Sequence, residues 1–257
     1  MTTSRGNELE RYSFSKLSSW YTCPLMWKYT YIDNKPQDEN AFAQYGTFVH
    51  SILERYAKGE LDFAELSDIY ENEYKDNVTV EFPPNSFVDL SERYYEQGKD
   101  FFNQFWGYSD KKIIAAEEKF EIELDDFIFN GIIDLVFEED GNLIIRDYKS
   151  KAKFKSRAEL KEYARQMYLY SLYVKEKYGK YPSELQFLMF RTNELVSIEF
   201  SEDALREAIE WAKETVSQIR NAWAYENKEP DFFCDAICSY RNNCEALIED
   251  DIKITEE

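Results

Sequence analysis

The chain has 257 residues, with 31 Lys and Arg against 51 Asp and Glu, for a formal net charge of -20. Hydrophobic residues at 44% and aromatics at 17% exclude a disordered chain, and no apolar run approaches the ~20 residues of a membrane span. The polar stretch Met1 to Arg11 lacks the apolar block of a signal peptide, and four cysteines are too few for a disulfide scaffold, so a cytoplasmic protein is expected.

Phe14, Leu17, Trp20 and Tyr21 recur at helical spacing behind Ser13, a suitable N-cap, and Pro24 breaks or restarts that helix before Trp27. Gln44 to Lys58 reads as a second helix ended by Gly59. Phe63 to Tyr74 and Phe87 to Trp106 read as two more, parted by Pro83-Pro84. The period then changes. Phe120, Ile122 and Leu124 alternate with glutamates as a strand, and Phe127 to Phe137 follows after an Asp125-Asp126 turn. Asp140-Gly141 signals a hairpin into a third strand, Leu143 to Tyr148. A long helix, Ala158 to Tyr178, stops at Gly179 and precedes strands Leu185 to Phe190 and Leu195 to Phe200. Ser201 then caps a last helix running to about Tyr225. This order predicts an α/β core with an N-terminal helical insertion. A single domain over residues 1–257 is expected: a helical part at 12–110, the core at 111–225 and a cysteine-bearing tail at 226–257.

The charge is uneven. Residues 61–145 hold 22 acidic and 6 basic side chains, whereas 146–161 hold 7 basic and 2 acidic. Arg146, Lys149, Lys151, Lys153, Lys155, Arg157 and Lys161 thus form a basic stripe in an acidic body, where an anionic strand could be admitted and elsewhere repelled. Beside it, Asp134 lies on the second strand and Asp147 near the end of the third. Hairpin neighbours are ~5 Å apart, so both carboxylates can reach one hard divalent cation. Lys149, two residues after Asp147, shares its face of the strand and suits a phosphoryl-stabilising role. His50, the one histidine, follows Gly46 on the second helix, where a glycine hints at close backbone packing. Gln166 and Tyr170 present two hydrogen-bonding groups from one helix face.

Together these residues resemble the RecB-like nucleases of the PD-(D/E)XK superfamily over most of the chain. That family's pattern is a Ser-rich helix ending in Cys-Pro, then Gly-x-x-x-His, Gly-x-x-Asp, Asp-x-Lys and Gln-x-x-x-Tyr. Cys23-Pro24, Gly46 to His50, Gly131 to Asp134, Asp147 to Lys149 and Gln166 to Tyr170 meet it in order, with Ile133 where the superfamily name has Pro. The resemblance implies a restriction-endonuclease-like mixed β-sheet flanked by helices. It implies metal binding (Mg²⁺ or Mn²⁺) by His50, Asp134, Asp147 and the carbonyl of Tyr148, catalysis by Asp134, Asp147 and Lys149, and support of the site and the DNA by Gln166 and Tyr170. Either Glu117 or Glu118 could fill a further acidic position. Lys151, Lys153 and Lys155 are expected to meet phosphates.

Cys234, Cys238 and Cys244 cluster at the C-terminus, and Cys23 is the only other cysteine. Four thiols with none left over suit an iron–sulfur cluster or a structural zinc. In the subset of the family that includes CRISPR adaptation nucleases and AddB-type helicase–nucleases, such a set holds a [4Fe–4S] cluster as a C-terminal clasp. The expected function is a metal-dependent DNA nuclease, with single-stranded DNA as the substrate and exonuclease action. Protein partners in a recombination, repair or adaptation complex and no membrane contact are expected with it. No Walker-type motif is present, so the chain carries no helicase motor. The alternatives are a catalytically silent binding or assembly subunit and an RNA-directed nuclease.

Overall fold

A computed structural model of the chain describes residues 9–229 and 231–247. The first eight polar residues and the end of the cysteine-bearing tail, 248–257, lie outside the described residues. Strand β1 (Arg11–Ser13) leads into helices α1 (Phe14–Thr22), α2 (Pro24–Tyr31), α3 (Ala41–Ala57), α4 (Leu66–Asn77) and α5 (Leu90–Gln104). Strands β2 (Lys112–Leu124), β3 (Phe127–Glu139) and β4 (Asn142–Lys149) follow, then α6 (Arg157–Tyr178), β5 (Glu184–Met189), β6 (Glu194–Glu199), α7 (Glu202–Arg220) and the short α8 (Phe232–Ala236). Among the described residues no helix is long and apolar enough to cross a membrane.

Local chemistry sets the boundaries. The extended backbone of Cys23 parts α1 from α2, and its thiol caps α2 by accepting from the N–H of Met26. Asp62 and Glu65 form a capping box on a 3-10 turn, Phe63–Glu65, so α4 proper begins later than the sequence suggests. Asp89 caps α5 and leaves Phe87 outside it, 97% exposed. Asn221 closes α7 several residues before Tyr225. The three residues of β1 carry no periodic signal. The first half of β2 hides its alternation because a bulge lies between Ile113 and Ala115.

The six strands form one mixed sheet in the order β1-β3-β4-β5-β6, with β2 also paired to β3. Strand β2 runs antiparallel along β3 from Leu124↔Phe127 to Lys112↔Glu138 and occupies one edge of it. The other edge is shared. Parallel β1 takes residues 128–130 and antiparallel β4 takes 135–139, leaving 131–134 between them. Helices cover both faces. Phe129, Ile133, Val136, Ile145 and Phe187 pack with Leu17 of α1, Met167 of α6 and Trp211 of α7. Leu135, Phe137, Ile144 and Leu188 pack with Phe48, Ile52, Tyr70 and Phe101 of α3 to α5. The α/β architecture read from the sequence is therefore present, with the N-terminal helices forming one outer layer.

One contact in that layer is tight. A Cβ built on Gly98 of α5 would lie 2.2 Å from the hydroxyl of Tyr70, a fully buried ring whose OH donates to the carbonyl of Tyr95 at 3.0 Å. In an open helix Gly→Ala gains about 1 kcal/mol. Here Gly98→Ala is expected to lose ~1–3 kcal/mol by overpacking, measured as a lower midpoint in urea. A midpoint raised by the substitution would mean that the helices part freely.

Candidate active site

The hairpin β3–β4 opens beyond its last pair, Leu135↔Arg146, because β4 turns to run beside β5. Asp134 sits in that opening, where the N–H of Tyr148 donates to its Oδ2 at 2.7 Å. From the opposite layer, α3 brings His50. The side chain of Asn40 caps this helix at the N–H groups of Phe42 and Ala43. Nε2 of His50 lies 3.0 Å from the Tyr148 carbonyl, and Nδ1 lies 3.6 Å from Asp134 Oδ2. A carbonyl only accepts, so Nε2 carries the proton and the bare Nδ1 faces a carboxylate oxygen. Burial holds the His50 pKa below its ordinary value, so the imidazole is neutral. The packing hinted at by Gly46 is ordinary: a Cβ there would be 3.7 Å from Ser150.

The sheet alternation slips at this point. Phe129, Ile133 and Val136 face α6 and α7, whereas Leu135 and Phe137 face α3 to α5. On β2 the pairing passes from Ala116↔Leu135 to Glu118↔Ile133 and skips Glu117, whose φ is 49°. A left-handed backbone at a non-glycine residue costs about 1–2 kcal/mol. It re-aims the side chain: ligand atoms of Glu117, His50 and Asp134 all lie within 4.8 Å of one another. Glu118 instead accepts from Lys177, Tyr178 and Tyr173. Burial raises its pKa, but those donors outweigh it and hold the carboxyl below its usual range. The sequence left these two glutamates open; the geometry selects Glu117.

Asp147 and Lys149 lie on the α6 side, as strand alternation predicts. Lys149 Nζ is 2.7 Å from Asp147 Oδ2, at an angle that leaves this buried oxygen without a hydrogen bond. The ammonium donates to Gln166 Oε1 at 3.1 Å, and Gln166 Nε2 donates to the hydroxyl of Tyr170 at 2.9 Å. Because lysine only donates, the amide orientation of Gln166 is fixed. Asp147 is not among the three groups within 4.8 Å of one another, although its charge is felt by Asp134. Burial, then Asp147, push the Asp134 pKa well above the ordinary carboxylate value. Burial, then Asp134, push Glu117 up to about 7.

Carboxyls crowded together in a low-dielectric site repel one another unless a cation joins them. The bare Nδ1 facing Asp134, and the oxygen of Asp147 that receives no hydrogen bond, are further lone pairs without a proton donor. The residues present therefore fit a hard divalent cation.

The basic stripe needs correction at one end. Arg146 is 1% exposed; its guanidinium donates to Gln186 Oε1 and packs on the ring of Phe137. Both faces of β4 are buried, so it cannot display a cation there. Lys151 pairs with Glu159 and Tyr163, and Lys161 with Glu207. Lys153, Lys155 and Arg157 are exposed, without an ion pair among the described residues. Cys23, Cys234, Cys238 and Cys244 line one pocket with Met26, Tyr29 and Tyr240. Sequence reasoning also missed the buried hydroxyl pair of Tyr108 and Tyr148, which no motif announces.

Comparison with known proteins places these features. The Gene 69 protein of Mycobacterium phage D29 is 30% identical over 166 residues, 54% of this chain and 61% of the phage protein. That of Mycobacterium phage L5 is 26% identical over 184 residues, 54% of this chain and 63% of its own. The chain thus spans about three fifths of the length of the curated relatives it matches. A crystal structure of a candidate exonuclease from Eubacterium rectale shares the fold, with a TM-score of 0.54 at 13% identity, covering 97% of this chain and 92% of that one. The family model of the PD-(D/E)XK nuclease superfamily matches residues 11–245, from β1 through the divergent hairpin to the last cysteine, and the chain belongs to that superfamily.

Proposed function

We propose that the protein is a metal-dependent deoxyribonuclease that hydrolyses phosphodiester bonds of single-stranded DNA as an exonuclease. The observation that carries this reading is the convergence of His50, Glu117 and Asp134 within 4.8 Å, beside an Asp147–Lys149 pair. With the Tyr148 carbonyl, these residues would hold Mg²⁺ or Mn²⁺. Such an ion, when bound, supplies a water of lowered pKa and positive charge for the phosphoryl oxygens. Hydrolysis adds the water oxygen to phosphorus and releases the sugar oxygen, which takes up a proton. Lys149 would stabilise charge growing on the phosphoryl oxygens, and Gln166, braced by Tyr170, holds its ammonium. Lys153, Lys155 and Arg157 hold the phosphates of the strand, while the acidic body repels DNA elsewhere.

The test is incubation of the protein with end-labelled DNA and RNA strands of one sequence, with EDTA or with Mn²⁺. Cleavage of the DNA strand only with metal is expected, and Lys149→Met should slow it by about 10²–10³-fold, while binding in EDTA changes less than about threefold. Uncut strands under every condition would leave a silent binding subunit, and a preference for RNA would reassign the substrate.

Metal affinity should depend on pH. Glu117, raised to about 7, must lose its proton to bind a cation, so Mn²⁺ affinity rises as pH passes through about 7. Titration calorimetry of Glu117→Gln should show weaker binding and a shallower rise there; an unchanged pH profile would remove Glu117 from the ligands.

Cys23, Cys234, Cys238 and Cys244 line one pocket and would supply the four thiolates of a [4Fe–4S] cluster, with a structural zinc as the alternative. This combination favours the RecB-like iron–sulfur branch, whose members work with protein partners in repair, recombination or adaptation.

A further inference from the structure

A second cleft opens one turn along α6 from Gln166, the partner of Lys149. It lies between α1, α6 and α7, has a volume of about 370 Å³, and is walled by Phe14, Tyr21, Tyr163 and Trp211, with Arg165 and Glu162 at its rim. That volume is in the range of small-ligand sites. Tyr21 is 52% exposed and lies offset on Trp211, with ring centroids 6.0 Å apart and planes at 29°. The guanidinium of Arg165 lies over the same indole at 5.0 Å. The cleft and the active site share a wall: the ring of Tyr163 is 5.3 Å from Lys149 Nζ and 4.5 Å from Lys151 Nζ. Phe154, from the loop bearing Lys153 and Lys155, packs on its ring at 5.3 Å.

We infer that this cleft is a stacking subsite for an unpaired base of the nucleic-acid strand held in the active site. The inference rests on the nuclease reading and adds to it where the strand leaves the site and why it must be single. The occupant has to be flat and apolar, to lie on the exposed ring of Tyr21, which itself rests on the buried Trp211. It also has to hang from a polyanion, because the adjoining loop carries exposed cations on a protein of net charge -20. The exposed Lys153 and Lys155 hold the backbone on their loop, and the base enters the cleft. A base paired within a duplex has no free face to offer, so the subsite excludes double strands. Aromatic stacking accepts every base, and the subsite therefore gives strand selection without sequence preference.

The experiment is fluorescence anisotropy of a labelled oligothymidylate in EDTA, so that binding is read without cleavage. Tyr21→Ala should weaken binding by about 5- to 100-fold, and Tyr21→Phe should restore it to within about twofold. On an otherwise identical strand with abasic sugars, wild type and Tyr21→Ala should bind equally weakly. Equal binding of the oligothymidylate by wild type and Tyr21→Ala would overturn the subsite, and wild-type cleavage with Mn²⁺ would show the nuclease reading surviving that loss. If sedimentation instead showed Tyr21→Ala converting a dimer to a monomer with DNA binding intact, the cleft would be a protein interface and the inference would fall.

Discussion

Asp134→Asn will raise the melting temperature of the metal-free protein and abolish both cleavage and stabilisation by Mn²⁺. Burial and the neighbouring Asp147 raise the folded-state pKa of Asp134 far above its ordinary value. A carboxyl raised in this way contributes stability below its unfolded value, near 4, and loses it as pH rises through the folded value. At neutral pH the metal-free protein therefore bears the cost of this buried, crowded carboxyl. Asparagine keeps an oxygen for the N–H of Tyr148 and cannot ionise. A gain of ~1–2 kcal/mol, or about 2–8 °C for a chain of this size, is expected. The ligand-linked gain runs the other way. Mn²⁺ at 100 times its dissociation constant should stabilise wild type by about 2.7 kcal/mol and leave the variant unmoved. Differential scanning fluorimetry at neutral pH, with EDTA and with Mn²⁺, measures both. Equal Mn²⁺ shifts in the two proteins would remove Asp134 from the metal site.

Cys23→Ser should bleach the purified protein and lower its melting point by about 10–20 °C. Cys23 stands between α1 and α2, and its three thiol neighbours lie in a segment more than 200 residues further along. A shared metal centre closes that loop and removes ~5 kcal/mol of unfolded-chain entropy; at about 2–4 °C per kcal/mol this gives the expected fall. Iron and sulfide analysis with a thermal melt decides it. A variant with full metal content and unchanged melting would show that the thiols do not share a site.

The sequence made much of the active centre legible because its chemistry rides on regular elements. Asp134 and Asp147 flank a hairpin, Lys149 follows by strand alternation, and Gln166 and Tyr170 share one helix face; each relation is fixed by a period of 2 or 3.6 residues. Where the backbone leaves its period, reading by period fails. Glu117 and Glu118 look alike in the alternating pattern, and the left-handed φ at Glu117 sends one toward His50 and Asp134 and the other to Lys177. Arg146 fails for a different reason. It belongs to a cationic run by composition, but β4 is buried on both faces, and no pattern of charge along the chain reports that. The aromatic cleft was invisible because Tyr21, Tyr163 and Trp211 lie on three separate helices.

The contacts between the two ends of the chain also dictate an order of assembly. Trp20 donates to Gln218, the N–H of Leu25 to the carbonyl of Glu226, and the N–H of Asp38 to the carbonyl of Ser239. Helix α1, which borders the proposed substrate path, thus rests on residues made about 200 positions later. On a ribosome, α1 and its Trp20 wait without their partners until α7 and the following tail emerge. Contacts of such long range close late and slowly. A chain interrupted before α7 lacks the support that sets α1 beside the sheet, so nascent and broken copies hold their acidic residues without an assembled substrate path. The proposed substrate path is complete only once α7 has docked on α1.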